Sequence, residues 1–274
     1  MGSYLNPGSM LFRGSLRSKI YVDKSGLIEK INELVCTEQK YVCVSRPRRF
    51  GKSMAANMLA AYYKKDEDTR PLFDKLLISQ SESYEEHLNQ YDVIRINMQQ
   101  FLSETHNMEE MLSKLRNYLI MDLQEAYEKI RFREKTSLVQ TMKDVFAYTG
   151  CPFIILIDEW DCLFREYQKD KEAQKKYLDF LRAWLKDQDY VGLAYMTGIL
   201  PIKKYGSHSA LNMFIEYSMT DPGDVAQYFG FTEEEVDALC QEYGMSFEET
   251  KAWYNGYGLW THSREGDQFY SMYS

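Results

Sequence analysis

The chain has 274 residues, a formal net charge of −8 and 45% hydrophobic residues, enough to bury a full core as one large domain or one domain with a smaller appendage. No apolar run approaches the ~20 residues of a bilayer span and no signal-like apolar block follows a basic start, so a membrane is excluded as partner and a cytoplasmic location is expected. The negative charge opposes bulk attraction to nucleic acid, while Cys36, Cys43, Cys151, Cys162 and Cys240 lack a CxxC pair and the four histidines lack ligand spacing, which argues against a disulfide framework or zinc site.

Residues 1–18, rich in Gly, Ser and Pro without helical periodicity, are expected to form an arm or ordered lead-in loop. Ser25 can cap a helix to about Val35, because Ile28, Ile31, Leu34 and Val35 recur at helical spacing. Tyr41–Ser45 reads as a buried strand, then come a short loop, 46–53, and a helix-favouring run, Met54–Tyr63. Asp92–Asn97 is a second strand, and helices are expected over about Met108–Lys129 and Lys135–Tyr148. Phe153–Ile157 is a continuous apolar run of the kind buried on both faces of a parallel sheet. A charged helix, about Asp170–Leu185, leads to a further apolar strand, Val191–Thr197. This alternation predicts a three-layer α/β sandwich with right-handed crossovers. Beyond it, Pro222 can open a helix, Thr232–Glu235 is a capped helix start, and Ser246 precedes another short helix, so residues 220–274 are read as a small helical lid. Within it, Trp253–Tyr257 reads as a helix end with Gly256 at the C′ position and aromatics packed around it.

A di- or triphosphate needs converging backbone N–H donors, the positive end of a helix dipole and a cation. At a strand-to-helix junction, Gly51 lets the backbone approach, Lys52 reaches the β and γ phosphates and the Ser53 hydroxyl can ligate Mg²⁺. The usual loop has a glycine five positions before Gly51; here that position is Arg46. Gly-Lys-Ser or Gly-Lys-Thr arises by composition in on the order of one in ten chains of this length, so the weight falls on a second motif. The run Phe153–Ile157 leads directly into Asp158 and Glu159, at the carboxyl edge where nucleotides bind. Asp158 is expected to hold Mg²⁺, directly or through water, and Glu159 to polarise the attacking water, the alternative being an acidic pair that caps the next helix.

Thr197 is either a sensor of the γ-phosphate or water, or merely a β-branched strand end. Arg46, Arg48 and Arg49 either brace phosphates in place of the missing glycine or decorate a solvated loop. Asp161 favours a surface helix-start role over contact with the metal's surroundings or a loop arginine. Lys203 and Lys204, with Tyr205 and Gly206, form a basic turn, read as solvated unless a polyanion meets it. The phosphate-binding set is thus Arg46, Pro47, Arg48, Arg49, Phe50, Gly51, Lys52, Ser53 and Met54.

Tyr21–Lys24, Ser45–Ser53, Ile157–Asp161, Thr197–Ile202 and Trp253–Tyr257, in that order, resemble the predicted AAA-ATPase-like family of bacterial proteins over nearly the whole chain from about Tyr4. In that family Arg-Pro-Arg-Arg-Phe-Gly-Lys is the usual loop, which makes Arg46 a variant of the lineage. The resemblance implies a P-loop core of the additional-strand type over residues 19–219, with Walker A at Gly51–Ser53, Walker B at Asp158, an extra strand between them and the Thr197 strand inserted beside the first. It further implies ATP as the nucleotide and Mg²⁺-dependent hydrolysis to ADP and phosphate that closes the lid. Glu159, Lys52 and Thr197 would be the catalytic residues, and an arginine from another subunit of a homo-oligomer would stimulate them. Such proteins commonly carry a C-terminal domain similar to PD-(D/E)XK nucleases and are suspected of roles in defence or mobile-element biology. The chain stops at Ser274, where theirs run on, so the resemblance implies a truncated form without nuclease activity, with a nuclease or nucleic acid at most as partner. A non-hydrolysing switch or scaffold and an ATP-regulated nucleic-acid-binding module stay open as rivals.

Overall fold

The structure, a computed structural model, describes residues 2–202, 211–263 and 266–273. The basic turn at Lys203–Gly206 lies outside the described residues. Strands β1 (Tyr41–Ser45), β3 (Phe153–Asp158) and β4 (Val191–Gly198) are buried at every position, as continuous apolar runs require when both faces of a strand are covered. With β2 (Asp92–Asn97) and β5 (Ile215–Tyr217) they form a five-stranded sheet in the order β2-β3-β4-β1-β5, every pairing parallel. The strand bearing Thr197 is therefore itself the one inserted between the strands that lead to Gly51 and to Asp158. This is the additional-strand P-loop core. β5 was not legible in the sequence, because it has three residues and the buried one is a glutamate, Glu216, so no apolar period marks it.

Side chains leave the strands on alternate faces, and each face has its own core. Val42, Val44, Leu156, Leu193 and Tyr195 pack under α1 (Met10–Leu16), α2 (Gly26–Asn32) and α3 (Lys52–Tyr63). Between α3 and β2 run two short helices, α4 (Arg70–Phe73) and α5 (Tyr84–His87). On the opposite face Ile94, Ile96, Ile155, Ile157 and Met196 meet α7 (Met108–Ala126), α8 (Leu138–Thr149) and α10 (Lys171–Leu185). α6 (Met98–Ser103) and α9 (Cys162–Glu166) continue the chain directly beyond β2 and β3. The side chains of Asn107, Ser137 and Asp170 cap α7, α8 and α10 by accepting from the third following amide. Ser25 does not cap α2; its hydroxyl accepts instead from the Ile78 amide, and the helix ends at Asn32, short of Val35. Among the described residues no helix is long and apolar enough to cross a membrane.

The N-terminal segment departs from the expected arm. It contains α1, whose only buried residue is Phe12, so no apolar stripe reveals it. Ahead of α1, Leu5 bridges Ile94 antiparallel, Asn6 N–H donates to Val93 O at 2.7 Å, and Arg95 N–H donates to Tyr4 O at 2.9 Å. The segment thus covers the outer edge of β2, which would otherwise expose unpaired backbone. Asn6 holds a left-handed φ of 49°, which its short amide tolerates, and its buried side chain donates to Asp92 Oδ1 at 2.8 Å while accepting from Val93 N at 2.7 Å.

The C-terminal region holds the expected helices, α11 (Glu233–Tyr243), with a complete capping box between Thr232 and Glu235, and α12 (Phe247–Tyr254). Pro222 opens a 3₁₀ turn, Gly223–Tyr228. The region is not purely helical: β6 (Phe231–Thr232), β8 (Gly266–Tyr273) and β7 (Asn255–Ser263) form an antiparallel sheet in the order β6-β8-β7. Gly256 accordingly lies inside β7 and is no C′ cap, since α12 passes straight into the strand. Nor are the aromatics packed as expected: Trp253 is 84% and Tyr254 60% exposed, and among the described residues only Tyr257 of that group meets an aromatic ring of the core.

Asn6→Ala removes the acceptor for Val93 N and one donor to the buried Asp92, and is expected to lower the unfolding free energy by about 2 kcal/mol in urea denaturation.

Candidate nucleotide site

The turn from β1 into α3 takes the six residues Arg46–Gly51. Gly51 is the N-cap of α3 with φ 77°, and a Cβ there would meet nothing within 4 Å, so the left-handed backbone, and not crowding, calls for glycine. Arg49 shares that conformation at φ 70° without glycine's freedom. Lys52 is 5% exposed and turns back inside the loop, its Nζ donating to Arg46 O at 3.0 Å and Pro47 O at 2.8 Å. Burial pushes its pKa down, against the opposing pull of Glu159, Asp158 and Asp161. Ser53 and Met54 are exposed on the first turn of α3, and Arg48 and Arg49 are exposed at the tip of the loop.

At the end of β3, Asp158 is 1% exposed. Its Oδ1 accepts from Thr197 Oγ1 at 2.5 Å and from Glu159 N at 3.1 Å, whereas its Oδ2 is buried with no partner among the described residues. Thr197 is fully buried, so its hydroxyl addresses the carboxylate and not open space. Glu159 holds φ 55°, with its carbonyl accepting from Cys162 N at 3.0 Å and its carboxylate paired with Arg165. Lys52, Asp158, Glu159 and Thr197 are thus gathered at the carboxyl edge, from the ends of β3 and β4 and from the helix that follows β1.

Two expectations are overturned here. Arg46 is neither solvated nor turned to a phosphate: it is fully buried, its Nη1 donating to Ser45 O at 3.1 Å and Tyr217 O at 2.7 Å beneath the Phe229 ring, 5.6 Å from the centroid. Burial holds its pKa down at about 10. Asp161 is no surface helix-start acid but completely buried, accepting from Ile199 N at 3.1 Å and Leu200 N at 2.8 Å and lying 3.4 Å from Arg165 Nε. It fastens the turn after β4 to the turn after β3. The side chain of Phe50 is buried toward the C-terminal sheet: its ring meets Tyr257 edge-on at 5.1 Å and its carbonyl accepts from Gly230 N at 3.2 Å.

Sequence reasoning missed a cavity of about 130 Å³ beside Gly51, walled by Phe12, Tyr21, Val22, Met54, Met58 and Tyr228. Its one trace in the sequence is Tyr21–Lys24, a motif to which the residues alone give no role. Lys24 Nζ donates to Gln227 O and to Glu235 Oε1, each at 2.6 Å, which ties that segment to the C-terminal region.

Residues 15–207 match the family described as Predicted AAA-ATPase. The chain belongs to this AAA-ATPase-like family. Membership of this P-loop family implies nucleotide binding. The chain is also similar, at 27% identity over 248 residues, to the uncharacterized protein in the vnfD 5′ region of Azotobacter chroococcum mcd 1, covering 88% of this chain and 45% of that one. Solved structures similar to this AAA-ATPase-like chain include the Aeropyrum pernix ORC1 protein in complex with DNA (11% identity, TM-score 0.44, 89% of this chain and 55% of that one). The ADPNP–ADP complexes of the Aeropyrum pernix ORC2 protein are another (10%, TM-score 0.41, 80% and 50%). The chain spans about half the length of each of these proteins.

Gly230 sits at φ 77°, where a Cβ would lie 2.9 Å from Tyr273 O and 3.1 Å from the Phe50 ring. Gly230→Ala is expected to cost about 1–3 kcal/mol, seen as a lower Tm and faster amide exchange in Phe231 and Thr232.

Proposed function

We propose that this chain binds ATP with Mg²⁺ across Gly51–Ser53 and Asp158 and hydrolyses it to ADP and phosphate. The observation that carries this reading is Asp158 Oδ2, a carboxylate oxygen buried without a partner beside a carboxylate oxygen that is fully satisfied. Leaving such an atom unpaired is costly unless a cation or its water meets it. The donor set suits a hard divalent ion, since Ser53 and Asp158 offer only oxygen. When bound, Mg²⁺ offsets the charge of the β and γ phosphate oxygens. Lys52 would exchange the Arg46 and Pro47 carbonyls for phosphate oxygens, and the first amides of α3 would cradle the same group. Arg48 and Arg49, exposed at the loop tip, would add charge from outside, while Arg46 and Phe50 hold the loop from behind.

The cavity beside Gly51, lined by Tyr21, Val22, Met54 and Met58, is apolar enough to take a purine base. In the reaction, the water oxygen bonds to the γ-phosphorus as the bond to the β,γ-bridging oxygen breaks; ADP leaves with that electron pair and Glu159 receives the water's proton. Thr197 would act on this step by fixing Asp158, a positioning role that replaces direct contact with the γ-phosphate. The non-hydrolysing switch has one observation on its side: the Glu159 carboxylate is already engaged by Arg165.

Calorimetric titration with Mg·ATP and phosphate release, on the same samples, separate these readings. Lys52→Ala is expected to weaken binding at least about tenfold, and Glu159→Gln to bind ATP normally yet lose turnover. Wild-type binding without turnover favours the switch, and absence of binding defeats both.

A further inference from the structure

The hydrolysis reading leaves one charged group at the site without a role. Arg165, on α9, pairs through Nη2 with Oε2 of Glu159, places its Nε 3.4 Å from Oδ2 of the buried Asp161, and has Gln99 Oε1 at 3.4 Å from the same Nη2. Oε1 of Glu159 accepts no hydrogen bond among the described residues. One oxygen of the carboxylate is therefore gripped and the other is free.

The grip is itself well supported. Asp161, completely buried, receives the amides of Ile199 and Leu200, the two residues that follow β4. Trp160, between the two acids, donates its amide to Thr197 O at 3.0 Å and packs its ring against Phe164. The turn that carries Glu159 is thus pinned to the end of β4 at two points, and Arg165 projects from the helix that this turn opens. A guanidinium can face two carboxylates at once through nitrogens fixed in one plane, as Nη2 does Glu159 and Nε does Asp161 here, whereas an ammonium is a single point charge. A base that must meet a water in line with a bond needs such orientation, because misplacement by about 1 Å costs on the order of a hundredfold in rate.

We infer that Arg165, anchored by Asp161, is the positioning residue for Glu159, holding Oε2 so that Oε1 faces the attacking water. Arg165 acts through Glu159 and touches neither nucleotide nor water. The inference rests on the hydrolysis reading and names an additional residue that hydrolysis requires.

The experiment compares wild type with Arg165→Ala, Arg165→Gln and Arg165→Lys by ATP titration and steady-state phosphate release. Loss of orientation predicts that Arg165→Ala and Arg165→Gln lower kcat by about tenfold or more while the Kd for Mg·ATP stays within about twofold. Arg165→Lys should recover part of the rate, since it keeps the charge without the fork. In nucleotide-free protein, the unfolding midpoints of Arg165→Gln, Glu159→Gln and the double variant should be non-additive, as expected for a direct contact. Turnover in Arg165→Ala equal to or above wild type overturns the inference, the latter by making the pair a brake. A Kd that weakens in step with kcat also overturns it, because the residue would then be supporting the fold alone. Absence of wild-type turnover removes the hydrolysis reading and this inference together, whereas wild-type turnover indifferent to Arg165 removes only the inference.

Discussion

The chain must leave a buried parallel strand and reverse into a helix within Arg46–Gly51 while keeping the amides at the head of that helix turned inward, and the rest of the carboxyl edge is arranged around this reversal. Two residues, Arg49 and Gly51, adopt left-handed backbone to achieve it, one without glycine's freedom. A strained loop persists only when its surroundings over-determine it. Here it is held from three directions: Lys52 binds its carbonyls from inside, Arg46 reaches under it to Tyr217 of β5, and Phe50 is clasped by Gly230 and Tyr257. In place of the usual first glycine, this loop carries a buried arginine whose role is to fasten β5 and the Phe229 ring to the end of β1.

Insertion of β4 between β1 and β3 sets the remaining geometry. Parallel register places Thr197 opposite Val44 and Met196 opposite Ile157, so β1, β3 and β4 all end beside the loop at the same level. Thr197 can then reach Asp158, and Asp161 can reach the amides after Gly198. The three acids thereby act differently, since Asp158 is bound to the Thr197 hydroxyl, Asp161 joins two turns through its Oδ2, and Glu159 is aimed from a backbone conformation that its side chain disfavours. A sheet with β1 directly beside β3 would offer no third strand end from which a hydroxyl and two amides could organise these carboxylates.

Those parts of the fold whose burial is periodic or continuous were legible in the sequence. β1 and β2 agree residue for residue, β3 and β4 within a residue at one end, and the capping box at Thr232 was readable because its two partners are three residues apart. The elements that escaped notice owe their structure to partners distant in the chain. α1 buries one side chain, β5 is three residues long, and β7 and β8 need each other before either has a face. At the site, Gly51, Lys52, Asp158 and Glu159 declared themselves by type and position, but nothing local distinguishes a buried Asp161 from a surface one. Arg165 and the cavity beside Gly51 were invisible for the same reason: an ion pair six residues apart and a pocket walled by Phe12, Met58 and Tyr228 exist only after folding.

The C-terminal region is coupled to the nucleotide loop by groups that a phosphate cannot reach. Gly230 N meets Phe50 O, the Phe229 ring covers the Arg46 guanidinium, and Tyr257 stands against the Phe50 ring. Lys24, next to the cavity, adds a fourth tie through Glu235 and the carbonyl of Gln227. If Lys52 exchanges the carbonyls of Arg46 and Pro47 for phosphate, the two residues that release it are the one that holds Phe229 and its neighbour. The loop therefore bears on the segment between the 3₁₀ turn and β6 through Phe229 and Gly230, and on β7 directly through Tyr257. The aromatic side chains of Trp253, Trp260 and Phe269 are exposed on this outer part. Packed rings and a backbone hydrogen bond have few alternative arrangements, so the C-terminal region is tied to the loop by how Phe50 and Arg46 are held and not by the residues on the first turn of α3.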